Sequence, residues 1–176
     1  MNIPALLILL RLVLIPVFLI LFFGDWEYAR AGAVVVFTVA AMTDLFDGII
    51  ARKYNQMTNF VKLMDPLADK LLICSALIAL VQTHEIAAWF VILIVCRDFI
   101  ITGFRMFAAA QGRVLGAVIS GKFNTCFQML LIIFILAGFN SVLIQTLMWI
   151  VVALTLISTT ENFVRNQDIL KKIKLK

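Results

Sequence analysis

Charged side chains are scarce in this sequence: aspartate, glutamate, lysine and arginine make up only 14% of its 176 residues. Hydrophobic residues make up 64%, and the mean hydropathy is +1.08. This composition excludes an ordinary soluble domain, so we predict an all-α integral membrane protein. Because one bilayer crossing takes about 20 apolar residues, the chain has room for about six transmembrane helices. We expect them to form a single membrane domain over residues 1–176.

Cysteine and histidine are also sparse, with three cysteines and one histidine. Cys74, Cys96 and Cys126 lie inside apolar runs without a C-x-x-C pattern or a paired spacing. We interpret them as reduced, buried side chains and not as a disulfide or a zinc site. His84 beside Glu85 is interpreted as a loop residue. The first apolar run lacks a basic start and a small-residue cleavage site, so we expect it to remain as the first span.

Six apolar runs divide the chain, and short turn-like stretches at 24–25, 83–85 and 138–140 separate three pairs of them. The runs cover residues 3–23, 28–50, 66–83, 86–110, 118–139 and 141–163. Basic residues cluster at the second and fourth connections and in the tail, which predicts that both termini face the cytoplasm. This topology accounts for the net charge of +5, and no nucleic-acid-binding module is present, so we expect no nucleic-acid partner.

Four aspartates stand out against this apolar background: Asp44, Asp47, Asp65 and Asp69. A charged residue at the centre of a membrane helix costs about 2.5–3.5 kcal/mol, so these carboxylates need compensation. Residues 44 and 47 are three apart and 65 and 69 are four apart, so each pair shares a helix face and the pairs can converge across a hairpin. Converging carboxylates without histidine or cysteine select hard cations such as Mg²⁺, Mn²⁺ or Ca²⁺.

A groove is predicted beside the first aspartate pair. Gly48 and Ala51 share the stripe of Asp44 and have almost no side chain, so a ligand can approach the backbone there. Arg52 lies at the mouth of this groove. The alternative is that the aspartates only form interfacial ion pairs with Arg52 and nearby lysines, a role that neutral residues would fill at lower cost.

The spacing of these residues resembles the signature of the CDP-alcohol phosphotransferases, D-x-x-D-G-x-x-A-R, then eight residues, then G-x-x-x-D-x-x-x-D. Seven of the eight fixed positions agree. The exception is Val61, which replaces a glycine and is expected to crowd a bound nucleotide. Other stretches, including MNIP at 1–4, MDPLADKLL at 64–72 and CRDFIITGFR at 96–105, resemble bacterial phosphatidylglycerophosphate synthases. Three positions depart from the pattern of those synthases: Ala5, Ile8 and Asn124, the last standing near a position that is basic in them.

The resemblance implies transfer of a phosphatidyl group from CDP-diacylglycerol to sn-glycerol 3-phosphate, with release of CMP, in a homodimer at the cytoplasmic membrane. It implies two divalent ions, Mg²⁺ or Mn²⁺, and a catalytic base, Asp69. The implied metal ligands are Asp44, Asp47, Asp65 and Asp69, and the implied CDP-diacylglycerol-binding residues are Gly48, Ala51, Arg52 and Val61.

A group of three basic residues is expected to bind the phosphate of the acceptor. Arg105, Arg113 and Lys122 flank the predicted cytoplasmic ends of the fourth and fifth helices. Arginine binds phosphate oxygens bidentately and lysine binds them as a point charge, so the three would favour a phosphorylated acceptor. Their alternative role is topological anchoring. Arg97 and Asp98, deeper in the fourth helix, are interpreted as a structural ion pair.

Three other functions are compatible with the sequence. A sister enzyme of the same family would use inositol phosphate, serine or phosphatidylglycerol as the acceptor. A catalytically weakened paralogue would be consistent with Val61. A divalent-cation carrier would also use intramembrane carboxylates, although no acidic residue continues a path to the other membrane face.

Overall fold

The computed structural model describes residues 3–54, 59–110 and 119–166, with side chains for 6–43, 64, 67–68, 70–108 and 119–166. All regular structure in these ranges is helical. The helices are α1 (Ile3–Phe22), α2 (Ala29–Tyr54), α3 (Asn59–Gln82), α4 (Ala88–Ala110), α5 (Ile119–Leu136) and α6 (Ser141–Arg165). The all-α class and the count of six helices are confirmed for the described part of the chain.

The second and third helices are longer than their apolar runs. α2 continues four residues beyond the predicted end at 50, to Tyr54, and α3 begins seven residues before the predicted start at 66, at Asn59. Hydropathy marks only the apolar part of a helix, whereas Arg52 and Lys53 have high helix propensity and let the hydrogen-bonded turns continue. The predicted boundaries of these two helices are therefore wrong, and the aspartates lie within helices.

Two of the described helices are long and apolar enough to cross a membrane by length and composition, α5 and α6. Shorter apolar stretches lie within three other helices, at Leu6–Phe22, Ala29–Thr43 and Lys70–Gln82. In α2 and α3 the aspartate-bearing segments adjoin these stretches. Polar residues thus occupy the C-terminal end of α2 and the N-terminal end of α3, which follow one another in the sequence.

The chain forms two compact units, the first comprising Met1–Ile86 with Ile132–Phe139 and the second Ala87–Leu131 with Asn140–Lys176. In the first unit α1 packs along both α2 and α3. Phe18 is fully buried, and its ring centroid lies 5.6 Å from that of Phe37 and 5.7 Å from that of Phe22. Ala33 and Ala40 are buried on the same helix as Phe37. Small residues at such positions let packed helices approach each other closely.

A polar cluster surrounds the start of α2 in the first unit. Arg30 forms an ion pair with Glu85, and its Nε donates to the Leu136 carbonyl oxygen at 3.2 Å. The Arg30 guanidinium carbon also lies 4.7 Å from the centroid of the Phe22 ring. Arg30 therefore joins α2 to α1, to the connection after α3 and to the last turn of α5.

In the second unit α4 packs on α6. The rings of Trp89 and Trp149 lie 6.3 Å apart at one end of this pair, and those of Phe104 and Phe163 lie 5.9 Å apart towards the other. Aromatic pairs at these centroid distances add to the stability gained by burial alone. The α4–α6 contact is thus held by ring pairs more than a dozen residues apart along α6.

The prediction that all three cysteines are buried is wrong. Cys96 and Cys126 are exposed, and Cys74 is half-buried. Cys96 lies four residues from the exposed Ile92, and Cys126 lies three residues from the exposed Phe123. A helix exposes residues three or four apart together, so both cysteines belong to outward-facing apolar stripes, which the apolar runs alone did not reveal.

Two of the described helices are followed by a residue in the left-handed conformation. At the end of α3, His84 has φ 59°, and the N–H of Glu85 donates to the Leu80 carbonyl at 3.0 Å. At the end of α5, Gly138 has φ 70°, and the N–H of Phe139 bonds to a carbonyl five residues back. Both arrangements match the bonding that satisfies the last carbonyls of a helix, and they confirm the predicted turns at 83–85 and 138–140.

We predict that His84→Gly stabilises the protein, because glycine adopts a positive φ without the steric cost of a side chain. Relief of the left-handed side-chain cost, about 1–2 kcal/mol, is partly offset by the greater entropy of glycine in the unfolded chain. The expected net gain is about 0.5–1 kcal/mol in the free energy of unfolding, measured by thermal unfolding of the full chain in detergent. Gly138→Ala is the matched reciprocal variant, since an added Cβ there meets no atom within 4 Å. It should lose a similar amount, and a loss of stability in His84→Gly would contradict the prediction.

Candidate active site

The aspartate hairpin consists of residues 44–54 of α2, the connection 55–58 and residues 59–69 of α3. Its two helical segments belong to the first unit, and α2 and α3 contact each other. The backbone is continuously helical through positions 44 and 47 and through 65 and 69. Each aspartate pair is therefore one turn apart on a single helix face, as its spacing predicted.

The donor chemistry of this hairpin fits divalent cations that prefer oxygen ligands, because its sequence contains four aspartates and no histidine or cysteine. Among the side chains that the structure describes, no group of three or more His, Cys, Asp or Glu could hold a metal ion. Several predicted side chains lie outside that set: Asp44, Asp47, Ala51, Arg52, Val61, Asp65 and Asp69. Their roles as metal ligands, base and nucleotide-binding residues stay predictions.

Helix α1 covers part of the hairpin. Ala68 of α3 is 1% exposed and packs with Ile8 of α1, and the half-buried Met64 and Leu12 adjoin this contact. Arg11 lies on the same helix one turn beyond Ile8 and is completely buried. A buried guanidinium in an apolar bundle needs compensating polar partners. The fold thus places a buried arginine within one turn of the α1–α3 contact. From the sequence alone, Arg11 is only a basic residue inside an apolar run.

The predicted acceptor-binding residues lie around the connection between α4 and α5. Arg105 is half-buried, five residues before the end of α4, and its Nε is buried with no hydrogen-bond partner among the described residues. Lys122 is exposed three residues after the start of α5. Arg113 lies outside the described residues. Two of the three cations therefore lie near the ends of α4 and α5 that border one connection of the second unit, and their role in binding the acceptor stays a prediction.

The predicted ion pair deeper in α4 is confirmed. An Nη of Arg97 lies 2.7 Å from the Asp98 carboxylate, and both side chains are about nine-tenths buried. The other Nη donates to the Ser158 hydroxyl of α6 at 2.5 Å. The Arg97 guanidinium also lies 3.7 Å from the place that a Cβ on Gly121 of α5 would occupy. Arg97 thereby connects three helices of the second unit.

A buried polar cluster in the second unit was not predicted. The Thr155 hydroxyl of α6 donates to the Asn124 Oδ1 of α5 at 3.0 Å, and Asn162 Nδ2 donates to the Ser158 carbonyl at 2.7 Å. Gln128, one turn from Asn124, is 1% exposed. The signal that could have found the cluster is spacing, because 155, 158 and 162 on α6 and 124 and 128 on α5 each share one helix face.

Comparison with known proteins identifies the family. The family model described as CDP-alcohol phosphatidyltransferase matches residues 1–157. A Bacillus subtilis relative is 38% identical over an alignment of 189 positions, which covers 97% of each chain. A Rickettsia typhi relative is 33% identical over 89% of this chain and 92% of its own length, and a Salmonella typhimurium relative is 36% identical over 77% and 76%.

All three relatives carry the name CDP-diacylglycerol–glycerol-3-phosphate 3-phosphatidyltransferase. The identities extend far beyond the aspartate hairpin, since the Bacillus subtilis alignment spans nearly the whole of both proteins. The resemblance seen in the aspartate motif is therefore confirmed, and this chain belongs to the CDP-alcohol phosphatidyltransferase family.

Proposed function

We propose that this chain transfers the phosphatidyl group of CDP-diacylglycerol to sn-glycerol 3-phosphate and releases CMP. The observation that carries the proposal is the 38% identity, over 97% of both chains, to a relative named for this reaction. A hydroxyl oxygen of the acceptor forms a bond to the lipid-side phosphorus. The bond from that phosphorus to CMP breaks, and the hydroxyl proton passes to a base on the enzyme.

The aspartate hairpin supplies the chemistry. Asp44, Asp47, Asp65 and Asp69 would hold two Mg²⁺ or Mn²⁺ ions, which when bound neutralise charge on the diphosphate and on the departing CMP. Asp69 takes the acceptor proton as the new bond forms, so it need not be a strong base in the resting enzyme. Gly48 and Ala51 leave space on the face of Asp44 for the nucleotide, with Arg52 and Val61 beside it.

The acceptor phosphate is assigned to the cations around the α4–α5 connection, Arg105, Arg113 and Lys122. Support comes from Arg105, whose buried Nε has no partner among the described residues. A guanidinium with unused donors binds phosphate oxygens through charge-assisted hydrogen bonds. This positive charge favours glycerol phosphate over a neutral alcohol and binds the acceptor separately from the lipid.

The apolar surface supports a multi-pass protein of the cytoplasmic membrane. Large hydrophobic side chains more than half exposed occur on every helix, among them Val13, Val35, Ile78, Ile92, Ile119 and Trp149. Surfaces of this extent mark contact with lipid or protein. With the basic connections inside, both termini and the aspartate hairpin would face the cytoplasm. A homodimer is proposed from the family resemblance alone.

The function is tested by CMP release from CDP-diacylglycerol, using the purified full chain and a panel of acceptors with and without Mg²⁺ or Mn²⁺. We expect metal-dependent release with sn-glycerol 3-phosphate. Release that depends instead on inositol phosphate, serine or phosphatidylglycerol would identify a sister enzyme. Absence of release with every acceptor would favour a weakened paralogue, and metal uptake into vesicles without release would favour a cation carrier.

We predict that Asp69→Asn lowers the turnover number about 10²- to 10⁴-fold, because asparagine cannot accept the acceptor proton. Binding of CDP-diacylglycerol should weaken less than in alanine variants of the other metal ligands, because the asparagine amide oxygen can still bind a cation, and the melting temperature should change little. A binding titration and thermal unfolding of the same preparation check both. Turnover at the wild-type rate would remove Asp69 from the role of base.

We predict that Asp44→Ala and Asp65→Ala each weaken divalent-cation and nucleotide binding together, because the diphosphate is expected to reach the enzyme through the cations. The measurement is calorimetric titration with Mn²⁺, followed by CDP-diacylglycerol at saturating Mn²⁺. Asp25→Ala, in the exposed connection between α1 and α2, is the matched control and should bind like the wild type. Unchanged Mn²⁺ affinity in both active-site variants would contradict the metal assignment.

We predict that Arg105→Ala raises the KM for sn-glycerol 3-phosphate about ten- to a hundredfold and leaves the KM for CDP-diacylglycerol nearly unchanged. The loss of binding free energy for the acceptor corresponds to one charge-assisted hydrogen bond of about 1.5–3 kcal/mol. Arg165→Ala, which removes an exposed basic residue from the last turn of α6, controls for general loss of positive charge. Equal changes in both KM values would assign Arg105 to anchoring or folding.

A further inference from the structure

The interior of the second unit is polar where three helices meet. Arg97 of α4 reaches Ser158 of α6, and Asn124 of α5 accepts from Thr155 of α6. Thr155 lies one turn from Ser158 along α6, and Gln128 lies one turn from Asn124 along α5. The contacts therefore form adjacent levels of one polar interior, and Gln128 extends it by a further turn.

The amides of this interior retain unused hydrogen-bonding atoms. Asn124 and Gln128 are 0% and 1% exposed. The Asn124 Nδ2, the Gln128 Nε2 and the Gln128 Oε1 are buried and have no hydrogen-bond partner among the described residues. Buried amide groups nearly always have partners, because leaving them unsatisfied in an apolar interior is unfavourable. Two donor groups and one acceptor on neighbouring turns therefore indicate a bound polar group.

The character of the unused atoms identifies the chemistry of that group. An anion would be repelled by the Gln128 carbonyl oxygen, and a cation would be repelled by two amide NH₂ groups. A hydroxyl both accepts and donates, so it can bond to an amide NH₂ and to the Gln128 oxygen at the same time. Side chains four apart on a helix have Cβ atoms about 5–6 Å apart, a span that one hydroxyl can bridge.

We propose that Asn124, Gln128 and Thr155 form a buried binding site for a single hydroxyl group, supplied by water or by a small polyol. The near-complete burial of both amides limits the ligand to a small molecule, and the neutral side chains make the site selective against ions. The Thr155 hydroxyl donates to Asn124 and keeps a lone pair for the ligand. The site uses none of the aspartates, so it does not depend on the proposed transferase activity.

The test is a nuclear magnetic resonance measurement on the full chain, deuterated and labelled with ¹⁵N-glutamine, in a phosphocholine detergent that carries no hydroxyl group. Cross-relaxation is measured between solvent protons and the side-chain amide protons of Gln128. We expect a cross peak to water at this NH₂ pair. The backbone N–H of Gln128 is the internal control, because it lies within α5 and bonds along the helix, and it should show none.

A second sample in non-deuterated glycerol distinguishes the two sources. Retention of the water cross peak assigns the site to water, and its replacement by cross peaks to glycerol carbon-bound protons assigns it to a polyol. Either result supports the proposal. Absence of cross peaks to both water and glycerol at the Gln128 NH₂ pair would overturn it.

Resonance assignment uses Gln128→Met, which should lose one NH₂ pair and with it the cross peak. If this variant does not fold, the other glutamines provide the assignment by elimination. Each is replaced by Glu in a separate variant, the NH₂ pair that disappears is assigned to that residue, and the one pair left unassigned belongs to Gln128. These are Gln56, Gln82, Gln111, Gln145 and Gln167. Gln82 and Gln145 are exposed and therefore tolerant of substitution.

Discussion

A polar or charged side chain inside an apolar helical bundle must be compensated, and this constraint organises both units of the protein. In the first unit Arg30 combines an ion pair, a carbonyl contact and an aromatic ring at the start of α2. In the second unit Arg97 is compensated by Asp98 and Ser158. Each arginine thereby joins elements that are distant in sequence, so that compensation of charge also determines which helices pack together.

The regions proposed for the two substrates differ in the sign of their charge. The α2–α3 hairpin carries acidic residues, which fit cations and, through them, a diphosphate. The cations around the α4–α5 connection fit a phosphate directly. One substrate in the proposed reaction is a lipid and the other is soluble in water, which accounts for the combination of exposed apolar faces with charged helix ends.

Local features of the sequence predicted local features of the fold well. The six helices and the turns at 83–85 and 138–140 follow from apolar runs and from residues that interrupt them. The predicted end of α2 and the predicted start of α3 were wrong, because hydropathy does not detect a polar helical segment. The predicted burial of Cys96 and Cys126 was wrong, because composition does not reveal which face of an apolar helix packs inward. In lipid both faces can be apolar.

The sequence by itself determined the helical class, the aspartate spacing and, through the family motif, the proposed chemistry, since all of these depend on residues within one or two adjacent helices. Only the tertiary structure decided how Asn124 meets Thr155 and how Arg97 meets Ser158, across separations of 31 and 61 residues. Helical periodicity gives the face on which a side chain lies, but not which helix that face meets. Packing and polar compensation between helices decide which faces meet, and they produce the buried polar cluster of the second unit.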